Sequence, residues 1–280
     1  MNVPEYTISL LIWILPIIVL SVFLIRKRLL SPEKSFSLLV TVAALAAVGI
    51  ILDLLFAARF FSFPQPAAVC GIKIQAIPIE EFIFYITGFW FIIFLYVFCD
   101  EWFLKKYNVP DEQYARYRSK LKKLLFINMR GIYWAIALFV VGILFKQKFN
   151  PEGDLIPGYF TFLLFVAYTP FVIFFRVSRK FINWPAFLFC LIITTLISII
   201  WEVTLAIPRG YWGYESTSML GIFIPFWHFI PIEAVTVWIF STLVILVYEF
   251  IKICYFTKDP SVPGHNILLK IGRNSRKRTL

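Results

Sequence analysis

The chain has 280 residues, 60% of them hydrophobic and only 15% charged, with a formal net charge of +11. A soluble domain is roughly 45–50% apolar and about 25% charged, so this composition excludes an ordinary soluble globule and fits a polytopic membrane protein. The four cysteines (Cys70, Cys99, Cys190, Cys254) form no CxxC pair and no metal spacing, so neither a disulfide framework nor a redox compartment can be argued from them.

Taken in order, the first apolar run is preceded only by Glu5 and followed by Arg26, Lys27 and Arg28, the reverse of a secretory signal peptide. Ile8–Ile25 therefore reads as an uncleaved first span. Phe36–Ala58 is the second, rich in small residues (Ala43, Ala44, Ala46, Ala47, Gly49) suited to close helix packing, with Asp53 near its far end. After a loop containing Pro64 and Pro66, Ile77–Cys99 forms the third, about 34 Å of helix and enough to cross a bilayer. It opens on the adjacent Glu80 and Glu81 and stays uncharged from Phe82 to Cys99.

Asp100–Arg130 is a basic connector in which Tyr114, Tyr117, Leu121 and Leu124 recur at helical spacing, the pattern of an amphipathic helix on anionic lipid. Ile132–Phe145 is a short fourth span. Tyr159–Phe175, Phe187–Ile207 and Trp227–Phe250 complete seven, and the tail beyond Lys258 is basic and punctuated by Pro and Gly. The predicted organisation is a three-helix unit over 1–103, a connector and linking helix over 104–150, a second three-helix unit over 151–256 and a basic tail over 257–280.

Basic residues check this topology independently. With the N-terminus outside, 22 of the 27 Lys and Arg residues fall on the inner side and 5 on the outer, as the positive-inside rule requires of a cell-membrane protein with a cytoplasmic C-terminus. The charge thus belongs to anionic lipid headgroups, and no nucleic-acid partner is implied. The acids then line up: Asp53 in span two corresponds to Glu202 in span six, and Pro78-Ile-Glu80 corresponds to Pro231-Ile-Glu233, at offsets of 149 and 153 residues. The expected fold is all-α and integral to the membrane, with seven helices built from two parallel three-helix repeats plus one linking helix.

Charged groups inside a span are expensive and mark function. Asp53, Glu80, Glu81, Glu202 and Glu233 have no obvious cationic partner within their own spans. Carboxyl groups close together in a low dielectric cannot all carry charge, so such a cluster shares protons and can act as general acid and base. Phe84, Tyr85, Trp201, Trp212 and Trp238 are the candidate substrate-binding residues, because aromatic faces stabilise a cation. Acid, aromatic wall and apolar surroundings together suit protonation of an alkene. No Glu-x-x-His pair lies on any span and no GxGxxG follows a strand, so neither a metal nor a nucleotide cofactor is expected.

The segment Pro78-Ile-Glu80-Glu81-Phe-Ile-Phe-Tyr85, with its second copy at Pro231 and Glu233 and the acid-bearing spans at Asp53 and Trp201-Glu202, resembles the membrane-embedded lycopene cyclases of carotenoid biosynthesis. The resemblance runs over nearly the whole chain from the first span to the seventh. It implies a cofactor-free isomerase that closes β-ionone rings on the ends of lycopene. A lycopene-like polyene would enter from the bilayer, and the first choice of proton-handling pair is Glu80 as acid with Glu233 as base, or the reverse. It departs at Ala234, where the second copy lacks the second glutamate. A carotenoid hydratase or another transmembrane terpene cyclase, and a proton-coupled transporter, are the alternatives; homo-oligomer formation is left open.

Overall fold

Inside a bilayer, a run of about twenty apolar residues satisfies its backbone hydrogen bonds by forming a helix. The computed structural model, which describes residues 4–110, 113, 129–151 and 154–256, is mostly helical. Seven of its helices are long and apolar enough to cross a membrane: α1 (Glu5–Arg26), α2 (Pro32–Phe60), α3 (Ile79–Phe103), α4 (Gly131–Phe149), α5 (Gly158–Ser178), α6 (Trp184–Ala206) and α7 (Ile232–Cys254). Ser31 caps α2 by accepting the Lys34 amide at 3.3 Å, with Pro32 in the first turn. Asn183 caps α6 through the Ala186 amide at 3.2 Å.

The core is organised around α3, which packs against α1, α2, α6 and α7. The apolar stretch of α3 is 61% buried, against 11% for that of α4, which lies at the periphery. The small residues of α2 do not form the expected packing stripe. Ala46 is buried, but Ala43, Ala44 and Ala47 face outward, and a Cβ added at Gly49 would meet nothing within 4 Å.

The third and seventh spans start later than the apolar runs suggested, at Ile79 and Ile232 instead of Ile77 and Trp227. The residue before a proline is driven to extended backbone, and Pro78 and Pro231 themselves are extended, so each proline is the last residue before its helix. Ile77–Pro78 and Ile230–Pro231, freed in this way, form short strands, and the loops before them supply four more. β1 (Phe61–Ser62), β2 (Lys73–Ile74) and β3 (Ile77–Pro78) follow α2, while β4 (Gly213–Tyr214), β5 (Phe223–Ile224) and β6 (Ile230–Pro231) follow α6. β2 pairs with β3 and β5 with β6 as antiparallel hairpins, and β1 pairs with β4 across the two loops. The fourth helix continues past the predicted Phe145 because the Lys146 ammonium is satisfied by the Thr217 carbonyl at 2.6 Å. The connector's predicted amphipathic helix, almost entirely, and the basic tail lie outside the described residues.

At the end of the bundle away from the hairpins, polar side chains fasten the helices. Lys34 meets Glu101 at 2.5 Å, and the Asn183 amide donates to Asp100 and to the Leu104 carbonyl, each at 3.0 Å. Asn183 thus both caps α6 and supplies a donor to a buried carboxylate on α3. Asn183→Ala should lower stability by about 2–4 kcal/mol, the sum of a lost cap and a buried acceptor left short of a donor. Thermal unfolding in detergent checks this; a midpoint equal to wild type counts against the tie.

Candidate active site

Five acids stand at the hairpin end of the bundle, and the structure divides them into two groups. Glu80 and Glu233 occupy the first turns of α3 and α7 and are buried. Each reaches back to the loop that precedes its hairpin. The Cys70 amide donates to Glu80 Oε1 at 2.6 Å and the Leu220 amide donates to Glu233 Oε1 at 2.6 Å. Thr7 adds a second donor to Glu80 Oε1 at 2.8 Å. Just after each donor the chain reverses through a glycine with positive φ, Gly71 at +86° and Gly221 at +91°. Neither glutamate lines the cavity described next.

Asp53 from α2, Glu81 from α3 and Glu202 from α6 share the wall of one cavity of ≈ 230 Å³. The sequence placed all five acids together; three are brought to a common space. Each of the three is held by a phenol or an indole. Tyr6 donates to Glu81 Oε2 at 2.7 Å, and Tyr85 donates to Asp53 Oδ1 at 3.1 Å. Glu202 accepts from the Tyr214 hydroxyl at Oε1, and from the Trp238 indole at Oε2 over 3.1 Å. Burial, and then the neighbouring Glu202 carboxylate, hold the Tyr214 phenol well above the usual tyrosine range, so it serves as a donor. Asp53 Oδ2 is buried with no hydrogen-bond partner among the described residues.

The rest of the wall is apolar. Twelve of the twenty-six lining residues are aromatic, among them Phe84, Tyr85, Trp212 and Trp238, and none is Lys, Arg or His. Trp201, the remaining aromatic candidate, is buried behind this wall with its ring 4.9 Å from that of Phe84 and 5.0 Å from that of Trp212. Trp13 stacks on Trp238 at 5.9 Å and meets Trp201 edge-on at 6.1 Å, so the wall is backed by a second layer of rings. Ala234, the departure noted in the sequence, faces the cavity and leaves it one carboxyl fewer.

Two π turns border the cavity. Glu202 begins a wide π turn, Glu202–Ala206, that ends α6, and a second π turn, Leu164–Tyr168, lies in α5 where Val166 and Ala167 line the cavity. Such turns displace side chains from regular helical register and recur at functional sites. Among the described residues no cluster of His, Cys, Asp and Glu could hold a metal ion. The arrangement sets three carboxyl groups on an aromatic wall that carries no Lys, Arg or His.

Tyr6 and Tyr214 were missed by sequence reasoning. Tyr6 lies 75 residues from Glu81, on a helix whose rotation the sequence does not fix. Tyr214 sits in the short strand β4 beyond the predicted sixth span, yet the nearness in sequence of Tyr211, Trp212 and Tyr214 to Glu202 was a usable signal. No family model matches the chain, and no curated protein or solved structure matches it.

The two groups of acids should respond differently to substitution. Glu80→Ala removes the acceptor for the Cys70 amide and should raise the rate of maleimide labelling at exposed Cys70 about fivefold, whereas Glu80→Gln keeps a carbonyl acceptor and should label near the wild-type rate. Equal labelling in all three proteins would mean that Glu80 does not hold its loop.

Proposed function

We propose that the chain is a cofactor-free acid/base isomerase of the lycopene cyclase type, acting on a terminal alkene of a linear carotenoid. One observation carries the reading. Three carboxyl groups face a common aromatic cavity without a basic residue on its wall, each held by a phenol or indole donor. The resemblance of residues 78–85 to that family points the same way.

In the proposed reaction Glu81 gives its proton to C2 of the terminal C1=C2 bond, leaving a tertiary cation at C1. The π electrons of C5=C6 form the C1–C6 bond and move the cation to C5. A second carboxylate, Asp53, takes the proton from C6, which restores the C5=C6 bond inside a β ring. The substrate loses one proton and gains one, so no redox partner is needed. Glu81 returns to its starting state when that proton passes back from Asp53. Glu202, fixed by Tyr214 and Trp238, supplies a third negative site for the passing cation, and ring faces supply the remaining stabilisation. Glu80 and Glu233 hold the loops that precede the two hairpins.

The two-copy architecture belongs to the same proposal. The hairpins β2–β3 and β5–β6, the glutamate-to-amide bonds at Cys70 and Leu220, and the acid–aromatic pairs Asp53–Tyr85 and Glu202–Trp238 recur at offsets of 149 to 153 residues. Parallel repeats of this kind put both hairpins on one side of the membrane, and the positive-inside rule would make that side external and the C-terminus cytoplasmic. A reporter fused after Lys258 should therefore read cytoplasmic and one inserted between Phe63 and Pro66 external; the opposite result at either site would sink the orientation.

Expression in a lycopene-accumulating bacterium tests the chemistry. A ring-containing pigment of unchanged mass is expected, and a pigment heavier by one water would replace ring closure by hydration. Glu81→Gln and Asp53→Asn should each reduce conversion by about 10²–10⁴-fold, the usual worth of one proton-transfer group. Glu5→Gln, exposed and paired with Arg209, should leave conversion unchanged. Unaltered lycopene with wild-type protein verified in the membrane would overturn the reading.

A further inference from the structure

The cavity is longer than the acid cluster needs. Along α3 its wall runs from Glu81 to Ile92, and along α2 from Phe60 down to Gly49, each about 16 Å of helix. Glu81 sits at the hairpin end of that length, and Asp53 lies seven residues in from Phe60. At the other, α2 and α3 each present a glycine to the space, Gly49 one turn below Asp53 and Gly88 about two turns below Glu81.

Glycine in a membrane helix ordinarily lets a neighbouring backbone come close. These two do not. A Cβ built at Gly49 or at Gly88 would meet nothing within 4 Å, so the missing side chains leave room instead of contact. By comparison, a Cβ at Gly142 would lie 2.6 Å from the Phe160 ring. Glycine in a helix interior costs about 1 kcal/mol relative to alanine, which packing here does not return. The space is also directed at a polar target, because Asp53, some nine-tenths buried, lines it with Oδ2 lacking a partner among the described residues.

We propose that the Gly49–Gly88 seam is the channel for the linear part of an apolar polyene whose terminal double bond lies at the acids, and that residue size at 49 and 88 sets the chain length admitted. The inference rests on the proposed cyclase reading for its substrate class and adds the binding mode. Ring closure needs only the last isoprenoid units in the acid-lined end. The unreacted chain has to lie somewhere straight, apolar and narrow, and the seam between α2 and α3 is such a place.

Binding, read separately from turnover, tests this. Purified protein in nanodiscs is titrated with lycopene and with a truncated linear polyene bearing the same terminal group, following quenching of tryptophan fluorescence; Trp212 and Trp238 line the cavity. Wild type should show saturable quenching with both. Gly49→Leu and Gly88→Leu should weaken lycopene about tenfold, through loss of buried chain, while the truncated polyene changes less than about twofold. Gly49→Ala and Gly88→Ala should give intermediate loss with unchanged or higher thermal stability, because alanine is the better helix former and nothing opposes its Cβ, so misfolding cannot account for the effect. Leucine variants that bind lycopene like wild type, or a wild type with no saturable quenching by either polyene, would overturn the seam. Saturable, leucine-sensitive binding without a ring-containing product would keep the seam and refute the cyclase reaction alone.

Discussion

A carboxyl group buried in an apolar bundle needs hydrogen-bond donors, and the cost of leaving one short is about 1–3 kcal/mol or more. The rest of the hairpin end follows from how that demand is met. Glu80 and Glu233 take backbone amides, which fixes two loops over the bundle. Asp53, Glu81 and Glu202 take phenols and an indole, which keeps rings around them and cations away. Donor type thus sorts one set of acids into loop anchors and another onto the wall of one cavity. An ammonium or guanidinium in the same place would hold a carboxylate charged. A phenol satisfies the oxygen without adding positive charge.

The same division explains where sequence and structure agree. Seven spans were legible because long uncharged runs admit one backbone solution, and Asp53 and Glu202 stood out because acids inside such runs are rare. The start of α3 was misplaced by two residues because hydropathy does not distinguish Ile77 in a strand from Ile77 in a helix. The proline that follows was the available clue. The split between Glu80 and Glu81 was out of reach. Adjacent helical residues point about 100° apart, so one faces the loop and its neighbour the cavity, and only the packing of α1 and α2 around α3 decides which.

Gly49 shows a second kind of limit. Small residues in a membrane helix suggest close packing, and that rule holds for Ala46. It fails at Gly49, where the absent side chain borders open volume. The residue type is the same in both roles; the distance to the facing helix differs, and composition carries no record of it.

The strand pair β1–β4 has a consequence for how such a chain assembles. Phe61 and Ser62 leave α2 early in synthesis, but their partners Gly213 and Tyr214 emerge about 150 residues later. The bonds from Tyr6 to Glu81 and from Tyr85 to Asp53 need only the first three helices. Those acids can therefore be quenched while the ribosome is still at work. The last wall closes only when α7 has followed α6 into the bundle and the two loops are stitched together, so the nascent protein passes through a stage in which two of its acids already have their phenol donors and the enclosed cavity does not yet exist.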